Sequence, residues 1–537
     1  MTLSSISGDW LIIAAVIIGC YALFLLPLQN SVAWRRRGVT TWGPIPLLIF
    51  FRTTRGLDLL DWLSRPKSMW RVLASAGVPL VVLGMGYFLA VLLLISYLMI
   101  QSPPEPSSYN APRNILLIPG LNEYVPFVWG WIALFVTMVV HEFAHGILAR
   151  VEGVRVKSMG LVTLLFAPVA AFVEPDEEEL FGTPEKEPAV GRGARIRILS
   201  AGVVSNFAVA ALAMALFFGP VIGSITPLER VVVADVQSSS FGEESGFQRN
   251  MVLQEVNGVE VDNLTSLYMS VAKGSAEMIV LQDNMKREMA LKGQPSCGIM
   301  VVSVFEGSPA AEAGLPPMSV ISAIDGMPIG DLEEFRSYMN GTAAGQNITA
   351  LTSKGTYRIR LTSKPGGYGF IGIGISGDAV YMGGVTFQQA PSAQIISLLK
   401  AIPASGVGGF LYLLSLPFAG ISGFSEKGFP GFSGWITDVF QPSGWAALLG
   451  SRFFWIANLL LWVGWVNLYA GLFNCLPAVP LDGGHIFRDL IQGVLERVFS
   501  PKKAERITRT VVTLLAWLIL TSLIITVVAP FSRSFSI

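Results

Sequence analysis

The chain is short of charge, of histidine and of cysteine. Asp, Glu, Lys and Arg make up 14% of its 537 residues, against about 25% in ordinary soluble domains. That excludes an ordinary soluble globule, and it excludes a charge-rich disordered chain. Lys+Arg and Asp+Glu are equal at 37 each, so no net field draws nucleic acid to the chain. The three cysteines, Cys20, Cys297 and Cys475, stand far apart. They form neither a disulfide framework nor a thiolate zinc site. Histidine occurs only as His141, His145 and His485, so any imidazole chemistry must draw on these.

What is abundant is apolar sequence. Hydrophobic residues are 52% and mean hydropathy is +0.57. Uncharged apolar runs cover Trp10 to Leu28, Val72 to Ile100, Tyr124 to Val140, Ile198 to about Gly219, Phe453 to Leu481 and Thr510 to Ser532. About 20 such residues cross a bilayer as a helix, so the expectation is a polytopic α-helical membrane protein with six spans. Ala401 to Ser425 is also uncharged but broken by Gly, Pro and Ser, and reads as an interfacial or re-entrant segment. The first run is preceded by Asp9 and followed by Arg35, Arg36 and Arg37. That order reverses a signal peptide's, so the run reads as a retained span. Short basic loops mark the cytoplasmic side. The loops at Arg35, at Lys67/Arg71, at Arg192/Arg195/Arg197 and at Lys502–Arg509 then place both termini, and the long 220–390 segment, outside.

That outside segment repeats itself. Residues 231–270 align without gaps to 299–338, with Gly246 on Gly314, Asn257-Gly258 on Asp325-Gly326 and Leu264 on Leu332. Each copy reads as short strands joined by small-residue and Asx-Gly turns, followed by a helix. The pattern resembles a PDZ domain present twice. Such domains add an extended peptide as a strand at a sheet edge. A pair of β-rich spacers is the plainer reading.

His141-Glu142-Phe143-Ala144-His145 is an HExxH motif. Positions i and i+4 share a helix face, so both imidazoles can reach one metal. Glu142 lies about 100° further round the helix, close enough to address a water on that metal. The plainer alternative is a helix end where polar residues meet water. Against it, His141 directly follows the 17 uncharged residues Tyr124–Val140, which span roughly 25 Å of a core about 30 Å thick. Ionisable residues at that depth are expensive and mark function. Zinc needs a third ligand and an open position. Asp482 ends another long apolar run, Phe453–Leu481, which is too long for one straight crossing. Pro477 and Pro480 break it. Irregular backbone at membrane depth is tolerated where it lines a protein-walled cavity.

HExxH in one span, with Asn474-x-x-Pro477-x-x-x-Leu481-Asp482-Gly483-Gly484 in a later one and PDZ-like repeats between them, resembles the site-two protease family of intramembrane zinc metalloproteases. The resemblance covers about residues 124–490. It implies one Zn2+ per chain held by His141, His145 and Asp482, with Glu142 as the catalytic base that activates a zinc-bound water. It assigns Asn474 and Pro477 to substrate binding, and with them Asn206 of the middle core helix. The family has Gly-Pro where this chain has Gly202-Val203, and Cys475 stands at a usual Leu. Val156 to Glu174 resembles the family's re-entrant β-hairpin, whose edge could pair with an unwound substrate helix. His485 reads as a solvated helix start rather than a ligand.

The implied organisation is N-terminal spans and loops in 1–123 and a first part of the catalytic core in 124–220. PDZ-like domains follow in 225–295 and 296–366, then a connecting segment in 367–450. The second part of the core is 451–490 and the C-terminal span is 491–537. The implied function is hydrolysis of peptide bonds within transmembrane segments, in regulated intramembrane proteolysis. The expected partners are single-span membrane-protein substrates, peptide segments at the PDZ-like domains and the lipid bilayer, with no nucleic acid. The expected location is the plasma membrane, with the active site near its cytoplasmic side. The rival readings are a transporter, a non-catalytic scaffold with an intramembrane metal site, and the polytopic HExxH proteases that trim prenylated proteins. The last use a Glu as third ligand and lack the inserted repeats.

Overall fold

The computed structural model describes residues 19–532, except 22, 27–30, 43–47, 108–109, 116, 165–166, 184–186, 283–284, 364–366 and 421–427. Most of the first expected span lies outside the described residues. The chain divides into two compact units, one of Met1–Ala215 with Leu459–Ile537 and the other of Leu216–Asn458.

Among the described residues, five helices are long and apolar enough to cross a membrane. They are α1 (Lys67–Gln101), α2 (Phe127–Glu152), α3 (Arg192–Leu216, running on as a π-turn through Val221), α6 (Arg452–Asn474) and α8 (Pro501–Ser532). Their apolar content all round, rather than one apolar stripe, is what a lipid-facing helix requires. Helix α2 begins directly after Pro126 and ends at Gly153, whose φ of +90° is left-handed. Glycine adopts that conformation without Cβ strain, so the chain can turn sharply there. The long run Phe453–Leu481 is split as its prolines require. Helix α6 stops at Asn474, residues 475–481 are non-helical, and α7 (Asp482–Leu495) starts at the aspartate itself. The short helix Gly406–Ser415 lies in the run read as interfacial.

Several of the basic residues that flank the apolar helices are spent on ion pairs in the first unit. Arg197 Nε and Arg71 Nε reach the buried Glu152 carboxylate at 2.8 and 3.3 Å, tying α1, α2 and α3 together. Arg195 grips Asp489 of α7 with both arms, at 2.8 and 3.2 Å, and Arg192 holds Glu496 at 2.7 Å. Asp489 is 2% exposed. A buried charge of this kind is tolerable only when paired.

The first unit also holds a four-stranded antiparallel sheet, β1 (Val39–Trp42), β2 (Leu48–Thr53), β3 (Val156–Leu164) and β4 (Ala167–Pro175), in that order. The hairpin β3–β4 matches the one read from the sequence. Strands β1 and β2 were not anticipated; β2 pairs along β3 from Leu48↔Leu164 to Thr53↔Met159. Among the described residues, strand β4 has a neighbouring strand on one side only.

The second unit is built on one long sheet carrying both repeats. The first supplies β5 (Val231–Val236), β6 (Val252–Val256), β7 (Ser275–Gln282), β8 (Met285–Lys292) and helix α4 (Leu264–Val271). The second supplies β9 (Ser296–Val304), β10 (Ser319–Ile324), β11 (Asn347–Thr352), β12 (Gly355–Arg360) and helix α5 (Leu332–Asn340). A hairpin of β13 (Ile373–Met382) and β14 (Val385–Gln389) joins them. The order is β8-β7-β6-β5-β14-β13-β9-β10-β11-β12. Each repeat keeps its own core, one around Met251, Leu253 and Phe387 and the other around Ile299, Ile324 and Phe335.

Candidate metal centre

The centre is assembled from α2, α3 and the start of α7, all within the first unit. His141 and His145 lie one helical turn apart on α2, with ring centroids 4.7 Å apart. Asp482 Oδ2 lies 3.1 Å from His141 Nε2 and 3.2 Å from His145 Nε2, and the two Nε2 atoms are 3.1 Å apart. The three side chains are largely buried, at 12–15% exposure. Among the described residues they are the group of His, Cys, Asp and Glu able to share a metal ion.

This triangle fits zinc. Ligand atoms about 2.0–2.1 Å from a tetrahedral ion stand about 3.3 Å from one another. Asp482 Oδ2 is buried without a hydrogen bond, which is expensive unless a cation sits beside it. Two imidazoles and a carboxylate leave a fourth position open.

The imidazoles are oriented from α3. His145 Nδ1–H donates to the Ile198 carbonyl at 2.8 Å. That fixes the tautomer, so the Nε2 lone pair points to the centre. Behind His141, the Asn206 amide lies 3.1 Å from Nδ1. Asn206 is fully buried, and its Oδ1 has no hydrogen bond. A half-turn of the amide puts Oδ1 on His141 Nδ1–H and satisfies both groups. Asn206 therefore stands behind His141.

Gly202 brings α3 this close. A Cβ there would fall 2.5 Å from His145 Nε2 and 2.7 Å from His141 Nε2. Sequence reasoning registered this glycine only as part of a departure from the family pattern. Its signal was the cluster of small residues Ser200-Ala201-Gly202, which lets helices approach in a membrane. Gly483 and Gly484 act similarly, because a Cβ on either would strike the backbone of Cys475 or Ala478 within 2.4 Å. Cys475 is fully buried, with its Sγ close to Gly84 of α1.

Glu142 Oε2 accepts a hydrogen bond from the Val173 amide of β4 at 2.9 Å. The sequence held no sign of this link. Asn474 is half-buried at the end of α6, and Pro477 is buried in the loop that follows. His485 is the fourth residue of α7; its ring lies 5.2 Å from Phe181, and its Nδ1 is buried without a hydrogen bond. Near the end of β4, Asp176 takes hydrogen bonds from Arg155 and Lys157, at 2.8 and 3.1 Å. Those cations, Arg155 first, hold its carboxyl down to about 2.

Apolar spans, an HExxH helix and an aspartate from a later segment, meeting on one point, define a membrane-embedded metallopeptidase. The sequence profile of Peptidase family M50 matches residues 129–519, and the chain belongs to that family. It is a zinc metalloprotease of the site-two type. It is 27% identical to an uncharacterized protein of Methanocaldococcus jannaschii, over 54% of this chain and 73% of the relative. It is 24% identical to the regulator of sigma-E protease RseP of Escherichia coli, over 70% and 91%. It is 30% identical to metalloprotease MmpA of Caulobacter vibrioides, over 40% and 55%. Among solved structures, the PDZ domain of an SdrC-like protein from Listeria innocua is 28% identical, covering 15% of this chain and 93% of that one at a TM-score of 0.14.

Proposed function

We propose that this protease hydrolyses peptide bonds inside membrane-spanning segments of other proteins, using a zinc held by His141, His145 and Asp482. The observation that carries the reading is the triangle of ligand atoms, 3.1–3.2 Å on each side, closed across two separate apolar segments. Zinc supplies Lewis-acid polarisation and lowers the pKa of water. Glu142, next to the first ligand, takes the proton from the attacking water and returns it to the leaving amine. The Ile198 carbonyl and Asn206 hold the two imidazoles in register. Pro477 shapes the loop that carries Asp482, and Asn474 at its edge holds the substrate backbone.

Strand β4 offers an edge that, among the described residues, no other strand covers, and on it an unwound substrate segment pairs. Helices must open before water reaches their peptide bonds, and an added strand presents the bond extended. Single-span proteins of the plasma membrane suit such a site. The sixth span would be the run Trp10–Leu28, with both termini and the repeats outside and water entering from the cytoplasmic side. The repeats act as PDZ-like peptide contacts that filter or dock substrates.

The test is metal content per purified chain for wild type, His145→Ala and Asp482→Asn. About one zinc per wild-type chain, lost in both variants, is expected of a three-ligand site. Zinc lost only in the His variant removes Asp482 from the site. A wild-type chain that takes up no zinc on resupply overturns the reading in favour of a scaffold or transport role.

A further inference from the structure

Two cavities of the first unit line up along α8. Thr508, Val512, Ala516, Ile519 and Leu523 follow one another at steps of three or four residues and so share one face of that helix. The first cavity, about 1150 Å³, is walled by the start of α8, the start of α3 and α7, and it carries seven charged side chains. The second, about 470 Å³, lies between α8 and the non-helical stretch 475–481, and its lining residues are apolar except for Thr513. Val479, Val512 and Thr513 border both. The polar cavity therefore runs on into the apolar one.

Three of the seven charges are already committed. Arg195 holds Asp489, and Arg192 holds Glu496. Arg488, Arg509, Glu187 and Glu505 remain. Arg488 has only a 3.9 Å contact with Asp489, whose carboxylate Arg195 already occupies, and lies 5.5 Å from the ring of Phe181. Among the described residues Arg509, Glu187 and Glu505 make no ion pair, although Glu505 precedes Arg509 by one helical turn. The wall thus offers two uncommitted cations and two uncommitted anions. Thr508 adds a hydroxyl. The residue is 1% exposed, and its Oγ1 has no hydrogen-bond partner. A helical threonine commonly returns its hydroxyl to the carbonyl one turn back, as Thr510 does to Arg506. A buried donor left unmade is expensive.

We propose that the two cavities bind one phospholipid whose headgroup carries both a phosphate and a primary ammonium. Arg488, Arg509 and the Thr508 hydroxyl hold the phosphate, to which the guanidinium fork is suited. Glu505 and Glu187 receive the ammonium, and an acyl chain lies in the apolar slot. Length favours a lipid over a small soluble ion. The fourteen residues from Arg509 to Leu523 make about 21 Å of helix. That is the depth of one leaflet, half of a bilayer about 40–45 Å thick with its headgroups. Charge selects the headgroup. A purely anionic one would leave two carboxylates facing it without a partner, and a quaternary ammonium could not donate hydrogen bonds to them. The bound chain would brace the stretch 475–481, which leads into Asp482. The site is separate from the metal centre and goes beyond the proposed function.

The experiment is native mass spectrometry of the full-length chain, delipidated in detergent and supplied in turn with phosphatidylethanolamine, phosphatidylglycerol and phosphatidylcholine of the same acyl chains. The expected outcome is one phosphatidylethanolamine retained per chain, roughly tenfold more tightly than either of the others. Arg509→Gln should weaken retention roughly tenfold. Ala516→Trp, which fills the apolar slot, should abolish it. Arg509 is exposed and unpaired, so its variant should keep wild-type helix content by circular dichroism whatever Ala516→Trp does. Free phosphoethanolamine should not displace the lipid; displacement would reveal a site for a small soluble phosphate and overturn the inference. Equal retention of the three lipids, tighter retention of phosphatidylglycerol, or unchanged retention in Arg509→Gln would also overturn it.

Discussion

Glu142 and Val173 are joined by a 2.9 Å hydrogen bond in which the strand's backbone N–H holds the carboxylate. The base proposed for hydrolysis is thereby tied to the strand proposed to receive substrate. This amide points away from β3, so it is not part of the sheet ladder. A proline at such an edge position removes the donor without breaking a ladder bond. Val173→Pro should lower the cleavage rate of a model membrane-span substrate about ten- to a hundredfold, the worth of one hydrogen bond to a charged group. It should keep its zinc, and Val173→Ala should stay near wild type. Glu142→Gln should also retain zinc, while losing roughly a hundredfold or more in rate. Unchanged cleavage by the proline variant would separate the base from the strand.

Gly202 should not tolerate a side chain. The added methyl of Gly202→Ala would meet both imidazoles at under 3 Å, while alanine favours the helix itself by about 1 kcal/mol. The expected result is a chain with wild-type helix content by circular dichroism and at least tenfold weaker zinc binding. Normal zinc affinity would mean that α3 stands further from the ligands.

Asn206 separates two roles by which quantity it moves. As the group that orients His141, it should show zinc affinity reduced about ten- to a hundredfold in Asn206→Leu. Asn206→Asp should recover it, because a carboxylate also accepts from Nδ1–H. As a substrate contact, the leucine variant would leave zinc unchanged and raise KM. Chelator competition on the purified chain decides between them.

Arg195 and Asp489 are both nearly removed from solvent, at 12% and 2% side-chain exposure. Arg195→Ala leaves the buried carboxylate only the 3.9 Å contact with Arg488, and loss of a buried partner destabilises by about 3–5 kcal/mol. A lowered melting temperature in detergent is expected. Arg195→Met combined with Asp489→Leu should melt closer to wild type, because it removes the buried carboxylate and leaves only Arg488, at 35% side-chain exposure, without its 3.9 Å partner.

Asp176 makes a prediction in pH. Its carboxyl is held down to about 2 by Arg155 and Lys157. A depressed acid adds stability above its unfolded pKa of about 3.9, and this is lost as pH falls through the folded value. With metal removed from both chains, wild type should melt above Asp176→Asn at about pH 6. That gap should close between about pH 4 and pH 2. A gap that persists at the acid end would place the effect in helix capping geometry rather than charge.

The parts of this protein legible in its sequence are those set by neighbours along the chain. HExxH puts two imidazoles on one face because the helical repeat is fixed by covalent geometry. Pro477 and Pro480 stop α6 because proline cannot continue a helix. The apolar runs mark the spans because a bilayer demands length and apolarity alone, and the 68-residue offset is visible in the residues themselves. Tertiary structure alone decided the rest. It brought Asp482 to within 3.2 Å of both histidines and set Gly202 against them. It gave the Glu142 carboxylate to Val173, and it paired the tail of β13 with β14 in the sheet of the second unit. Each of these depends on which surfaces meet, and burial and edge pairing across long stretches of chain leave no periodic mark in the residues that take part.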